Sequence, residues 1–203
     1  MLEENARMDP IERLMAEHRL IEKVLDSLEA YVRELSHSES PDKRDLQRFV
    51  TFIRWFADRC HHGKEEDILF AEMVEAGFPR QAGPIGVMLA EHEEGRRLVR
   101  QLAEDAKDEA PCDAEARHRI QETAKSFASL LRAHISKEDQ VLYPMALSRL
   151  GPEAMARIGE RFERFEAEKM GEGTHERLHA EAEDLIARHA PSVLAGGGGA
   201  CCR

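Results

Sequence analysis

The chain has 203 residues, of which 29 are Lys or Arg and 40 are Asp or Glu, so its formal net charge is −11. This negative charge argues against binding to nucleic acid or to an anionic membrane surface. No segment contains the roughly 18 consecutive apolar residues of a membrane span, and the polar, acidic residues 1–9 do not resemble a secretory signal. We therefore expect a cytoplasmic protein with neither nucleic-acid nor membrane partners.

Helix-favouring residues dominate the composition, and no alternating run of β-branched residues indicates a strand. Proline, glycine and capping residues divide the chain into five predicted helical segments, at about residues 9–35, 40–75, 84–107, 111–149 and 151–189. We expect Pro144 to kink or break the fourth segment, and the Gly171-Glu172-Gly173 stretch marks a weak point in the fifth. Residues 191–203, with four consecutive glycines and Cys201-Cys202, are expected to form a disordered tail.

Two short motifs occur twice in the chain, about 73 residues apart. Ala16-Glu17-His18 recurs as Ala90-Glu91-His92. The stretch 61–70 recurs as 134–143, with histidine, lysine, glutamate, a second acid, leucine and an aromatic residue in register. Two similar helical hairpins predict an all-α, up-down-up-down four-helix bundle over residues 9–150, with a fifth helix, residues 152–190, packed on it.

The repeat preserves one histidine on each of four helices, and a glutamate follows two of these histidines after one helical turn. His18 lies among the apolar positions of its helix, so its ring is expected to point inward. Buried polar groups are costly unless something binds them, and a pair of metal ions would do so. Nitrogen and oxygen ligands suit iron, and less specifically manganese or zinc. The predicted ligands are His18, His61, Glu65, His92, His134 and Glu138.

This pattern resembles the hemerythrin-like (HHE cation-binding) family, and the stretch 60–66 looks like its bacterial members. The resemblance implies a non-haem centre of two iron ions, bridged by Glu65, Glu138 and a solvent-derived oxo or hydroxo group. It also implies that the protein handles or senses dioxygen, peroxide or nitric oxide.

The chain departs from the oxygen-carrying hemerythrins at one position. Their third helix carries a second histidine four residues after the first, whereas this chain has Arg96 there, so one iron lacks a histidine. The candidate replacements are His62, Glu168 and His175. The repeat places Ile135 opposite His62, which favours a role for His62 beside the ligands rather than among them.

Three classes of function are compatible with such a centre. An enzyme would remove peroxide in a catalase-like reaction or reduce nitric oxide. A binding protein would sense oxygen, redox state or iron without turnover, and a sensor would need a separate output partner. Iron storage is disfavoured, because a single-chain bundle has no cavity for many ions.

The remaining histidines and several neighbours of the ligands have simpler interpretations. Surface positions are predicted for His37, His118, His179 and His189. Cys60 is interpreted as a small buried hydrophobic residue. Phe70 and Tyr143 are interpreted as core residues, with proton donation by Tyr143 as the alternative.

Overall fold

The structure is a computed structural model that describes residues 9–38, 42–107, 109–110, 112–171 and 173–190. Within these ranges it contains six helices and no strand, which confirms the all-α prediction. No helix in this part of the chain has the length and apolar character needed to cross a bilayer. The predicted tail and its two cysteines lie outside the described residues.

The first four helices form the bundle, and the last two pack on it. In chain order they are α1 (Pro10–His37), α2 (Arg44–Phe52, Ile53–His62, Glu65–Leu69 and Phe70–Glu75), α3 (Gly83–Asp105), α4 (Ala114–Lys137, Glu138–Leu142 and Tyr143–Arg149), α5 (Pro152–Phe165 and Glu166–Met170) and α6 (Thr174–Arg188). Stretches of π-helix interrupt α2, α4 and α5. Two of them begin at the repeated glutamates, Glu65 and Glu138.

Side-chain caps mark the starts of two bundle helices. An Asp9 side-chain oxygen accepts a hydrogen bond from the backbone N–H of Ile11 at 2.8 Å, and Asp113 accepts one from Ala116 at 2.9 Å. These bonds satisfy N–H groups that have no partner within the helix. By contrast, α2 begins at Arg44, later than the predicted start at residue 40.

Two apolar clusters fill the bundle. One contains the late part of α1, the early part of α2, the late part of α3 and the middle of α4. The other contains the early part of α1, the late part of α2, the early part of α3 and the end of α4. This pairing of early with late segments is that of antiparallel neighbours, and the repeated histidines lie between the clusters. Pro144 is the second residue after a π-helical stretch, so the helix changes type just before it.

The segment predicted as a fifth helix is two helices. Gly171 and Gly173 have backbone φ angles of 83° and 72°, and residues other than glycine rarely adopt such angles. Helix α5 ends and α6 begins at these two glycines. Both helices pack against α1 and α2. A Cβ atom on Gly63 would lie 2.7 Å from the Phe165 ring, so α5 approaches α2 closely beside the predicted ligands.

Candidate metal centre

The bundle brings the predicted ligands together at its middle. All six are at most 1% exposed. Each of the four helices supplies one histidine, and α2 and α4 each add a glutamate; the residues are His18, His61, Glu65, His92, His134 and Glu138.

The four imidazoles form two pairs, and in each pair the Nε2 atoms face each other. His18 Nε2 lies 2.9 Å from His61 Nε2, and His92 Nε2 lies 3.0 Å from His134 Nε2. Two ligand atoms at right angles around one ion, each about 2.1 Å from it, would be separated by about 3 Å. The spacing within each pair therefore fits two ligands of one metal ion.

Both glutamates lie between the two pairs. Glu138 has its Oε2 atom 3.3 Å from His18 Nε2 and its Oε1 atom 3.1 Å from His134 Nε2. Glu65 Oε2 lies 3.7 Å from His61 Nε2 and 3.5 Å from His92 Nε2. Each carboxylate thus contacts one histidine of each pair, as a ligand bridging two ions would.

A carboxylate holds the other ring nitrogen of every one of these histidines. The Nδ1 partners are Asp139 for His18 at 2.8 Å, Glu17 for His61 at 2.8 Å, Glu66 for His92 at 2.7 Å and Glu91 for His134 at 3.0 Å. Because a carboxylate accepts, Nδ1 is the donor, and the Nε2 atom of a neutral ring then carries a lone pair toward its partner histidine. Each facing pair consequently needs a proton or a metal ion between its members.

Two lysines complete this outer set. Lys64 is fully buried and donates to Glu17, and Lys137 donates to Glu91. The roles of these lysines and of the four outer carboxylates were not predicted from the sequence. The signal was present, because the lysines and all four acids belong to the duplicated motifs.

Burial and neighbouring charges shift the pKa values of the buried groups in opposite directions. Burial opposes protonation of His18, but the hydrogen bond to Asp139 and the negative charge of Glu138 raise its pKa to about 9. Burial and the neighbouring His18 lower the pKa of His61 to about 4. Burial and the charge of Glu138 raise the pKa of Glu65 well above its usual value. A bound cation would relieve the repulsion between the two carboxylates.

Unsatisfied buried atoms support a metal more directly. Glu65 Oε2 and both carboxylate oxygens of Glu138 are buried without a hydrogen-bond partner. Isolated buried carboxylate oxygens are costly. These three atoms point to the space between the histidine pairs, so the residues present fit a pair of metal ions.

His62 joins the pair formed by His92 and His134. It is buried, its ring stacks on that of His92 with centroids 3.8 Å apart, and it meets the His134 ring edge-on at 5.7 Å. Possible ligand atoms of His62, Glu65, His92 and His134 lie within 4.8 Å of one another, as do those of His18, His61, Glu65 and Glu138. The centre is therefore asymmetric, with three imidazoles on one side and two on the other.

Arg96, at the position of the missing histidine, supports the centre from outside. Its guanidinium donates to Asp58 at 2.8 Å, to Glu93 at 2.6 Å and to Glu66 at 2.7 Å. Glu66 in turn accepts from His92, so Arg96 helps to orient a ligand that it does not contact.

The other two candidate replacements do not reach the centre. Glu168 is exposed, so its prediction as a ligand is wrong. The buried positions of α5, Ile158, Phe162 and Met170, follow a spacing of four residues that includes Glu166 and leaves Glu168 on another face. Glu166 accepts from Lys64 at 2.8 Å, and His175 lies 3.8 Å from Glu17. Lys64 supplies the positive charge in this group, which leaves His175 beside an ammonium rather than beside the facing imidazoles.

Tyr143 is a direct neighbour of the centre. Its hydroxyl donates to Glu65 Oε1 at 2.8 Å, whereas Phe70 occupies the equivalent place in the first repeat. Burial and the charge of Glu65 raise the pKa of Tyr143 well above its usual value. The phenol therefore keeps its proton and holds it at the carboxylate.

Other predictions have mixed outcomes. Cys60 is buried, and burial raises its thiol pKa to about 12, in line with an unreactive core residue. His37 and His118 are exposed, and the side chain of His179 is 40% exposed. The surface prediction for His189 is wrong, because its ring is buried against Asp45 at 2.7 Å.

Comparison with known proteins agrees with this geometry. A family model described as the hemerythrin HHE cation binding domain matches residues 9–146. The uncharacterized protein Rv1995 of Mycobacterium tuberculosis is 22% identical over 174 residues, covering 86% of this chain and 68% of that protein. The iron-sulfur cluster repair protein YtfE of Salmonella typhimurium is 34% identical over 125 residues, covering 60% of this chain and 56% of that protein. The family match includes all six predicted ligands and excludes α5 and α6.

Proposed function

Because the chain belongs to the family of the hemerythrin HHE cation-binding domain, we propose that its bundle holds two iron ions and binds or processes a small oxidant. The oxidant is dioxygen, peroxide or nitric oxide, and peroxide removal is the enzymatic activity that we favour. The observation that carries the proposal is the pair of buried carboxylates, with unsatisfied oxygens, between two sets of facing imidazoles.

The unequal division of imidazoles supports a ligand-binding centre. In the proposed arrangement His62, His92 and His134 would hold one ion, His18 and His61 would hold the other, and Glu65 and Glu138 would contribute to both. The side with two imidazoles would supply fewer protein ligands, which would leave room there for a small molecule. The chemistry of the site when loaded is the gain and loss of electrons at two irons, with a small ligand bound at the open position.

The surrounding residues prepare the centre for that chemistry. The outer carboxylates fix the ring orientation of each histidine and strengthen its Nε2 as a ligand. Tyr143 holds a proton at Glu65 Oε1, within reach of a group bound beside that carboxylate. Buried apolar clusters pack against the centre from both sides along the bundle.

Iron is favoured over zinc or manganese on two grounds. The ligands are nitrogen and oxygen atoms without thiolate. One relative also bears the name of an iron-sulfur cluster repair protein, although the matched region spans only 56% of it. A sensor of oxygen, redox state or iron, without turnover, is the alternative function, and a cytoplasmic location stays a prediction.

The deciding experiment measures metal content and the ultraviolet–visible spectrum of protein purified in air, before and after addition of peroxide. We expect two irons per chain and the charge-transfer band of an oxo-bridged pair. Oxygen release would establish peroxide removal, whereas a stable spectral change without turnover would favour the binding protein. Zinc, or no metal, would contradict the proposal.

Variants of the ligands test which residues hold the iron. His61→Ala and Glu138→Ala each remove a buried ligand and are expected to lose most of the metal and to unfold at lower temperature. His37→Ala, at an exposed position, is the matched control and is expected to match the unmodified chain. Retention of two irons by both ligand variants would refute the assignment.

A further inference from the structure

A cavity of about 160 Å³ leads from the surface to the side of the centre that carries three imidazoles. It lies between α2, α3 and α4, and its inner end is lined by His62, His92 and His134. An engineered protein cavity of about 150 Å³ holds a molecule of benzene. The space is therefore much larger than dioxygen, peroxide or nitric oxide requires.

The walls of this cavity are apolar. They include Ile53 from α2, Val99 from α3, and Phe127 and Leu131 from α4, all of them buried. Gly95 also lines it, and a Cβ atom there would sit 3.7 Å from the Phe127 ring. A Cβ atom at that distance would be in ordinary van der Waals contact, so glycine at this position leaves room for about one methyl group beside the Phe127 ring.

Positive charge surrounds this apolar interior. Arg54 and Arg100 line the cavity, are exposed, and have no carboxylate partner among the residues that the structure describes. The two acids in the lining are already engaged: Asp58 accepts from Arg96, and Glu91 accepts from Lys137 and His134. The uncompensated charge is that of the two arginines, which favours an anionic ligand.

The inner end contains an unsatisfied polar atom. His62 is about nine-tenths buried, its Nδ1 has no hydrogen-bond partner in the described part of the chain, and the carboxylate of Asp58 is 3.5 Å away. A buried ring nitrogen of this kind is costly to leave unpaired. A hydroxyl group on a bound molecule can satisfy it, since a hydroxyl both donates and accepts.

We propose that this cavity binds a small organic carboxylate with a ring-sized apolar body and a hydroxyl group opposite the carboxylate. The body packs against the apolar walls beside Gly95, the carboxylate pairs with Arg54 and Arg100, and the hydroxyl meets His62. The proposal goes beyond oxidant binding and stands on the cavity, not on the identity of the metal. Such a ligand would lie next to the three-imidazole side and act as a co-substrate or regulator of the centre.

The test measures binding of 4-hydroxybenzoate to the purified chain by ligand-observed NMR and calorimetry, with the metal content recorded. We expect saturable binding that is tighter than that of benzoate, and much tighter than that of formate or the neutral 4-hydroxybenzyl alcohol. Binding is measured with whatever metal the protein carries, so failure of the iron proposal would leave this result intact. No saturable binding, or equal binding of formate, would overturn the inference, and equal binding of benzoate would overturn the role of His62.

Variants locate the bound molecule. Gly95→Leu fills the cavity and is expected to abolish binding, while the double variant Arg54→Gln, Arg100→Gln is expected to weaken it about tenfold. The arginines are exposed, so that double variant keeps the test valid if Gly95→Leu fails to fold. Arg97→Gln, at an exposed arginine paired with Glu94, is the control and is expected to bind normally. Unchanged binding in the double variant would refute the assigned orientation and with it the proposal.

Discussion

Glu91 Oε2 lies 3.0 Å from Nδ1 of His134, so the residue that precedes one proposed ligand orients another ligand on the neighbouring helix. The same arrangement occurs in the first repeat, where Glu17 Oε2 lies 2.8 Å from His61 Nδ1. This cross-helix contact gives the duplicated Ala-Glu-His motif a physical basis: the histidine faces the centre, and the glutamate holds the histidine of the next helix.

Replacement of Glu91 by glutamine tests this outer contact. Glu91→Gln keeps the size of the side chain but removes the charge that strengthens His134 as a ligand. We expect the fold to persist and metal affinity to fall about 10- to 100-fold, as measured by competition with a chelator. Glu94→Gln, on an exposed part of the same helix and paired with Arg97, is the control. Equal affinities in the two variants would show that the contact does not tune the metal.

Removal of His62 tests the three-imidazole side. In His62→Ala the ring stacked on His92 is lost, and with it one of three imidazoles near the same position. We expect metal content to fall from two ions toward one per chain, because the bridging glutamates and the His18 and His61 pair remain. Metal analysis and the absorption spectrum measure the change.

The exposed His118 supplies the control for His62. His118→Ala is expected to retain the full metal content, because its side chain lies on the surface. If His62→Ala also retains two ions with an unchanged spectrum, His62 is not a ligand and acts only beside the centre, as the repeat alignment favours.

The four-helix bundle and the convergence of the six proposed ligands could be predicted from the sequence, because the same polar residues recur at helical spacing on four helices. Contacts between distant segments were not accessible from it. His189 was misassigned to the surface because its partner, Asp45, is 144 positions away. Glu168 was misassigned because the chain breaks at Gly171 and Gly173, so that Glu168 and His175 lie on two separate helices.

The hydroxyl of Tyr143 gives a further test, since the equivalent residue of the first repeat is Phe70. Tyr143→Phe removes the hydrogen bond to Glu65 Oε1 and keeps the ring. We expect stability to fall by about 1 kcal/mol, metal content to stay the same, and the spectrum and oxidant reactivity to change because the proton at Glu65 is gone.

A remote tyrosine separates that effect from a general loss of stability. Tyr31 donates a hydrogen bond to the backbone carbonyl of Asp42 at 2.9 Å. It lies far along α1 from His18, the proposed ligand in that helix. Tyr31→Phe is expected to cost about 1 kcal/mol with an unchanged spectrum and reactivity. Identical spectra for both variants would mean that Tyr143 has only a packing role.

Asp45 predicts how stability depends on pH. Burial alone would raise its pKa, but hydrogen bonds from His189, Arg48 and Arg188 lower the pKa of Asp45 below its usual value. The carboxylate therefore adds stability that is present above its unfolded pKa of about 3.9, and this contribution is lost as the pH falls through the lower folded value. Asp45→Asn removes the charge that ties α6 to the start of α2.

We expect Asp45→Asn to cost about 1–3 kcal/mol at pH 7, measured as the free energy of unfolding in urea. Because the wild-type carboxylate becomes protonated in acid, the difference between the two proteins shrinks as the pH falls below about 4 and through the lower pKa of the folded protein. Asp26→Asn, at a half-exposed residue paired with Arg132, is the control and is expected to change stability by less than about 1 kcal/mol. A difference for Asp45→Asn that does not depend on pH would show that side-chain charge does not anchor α6.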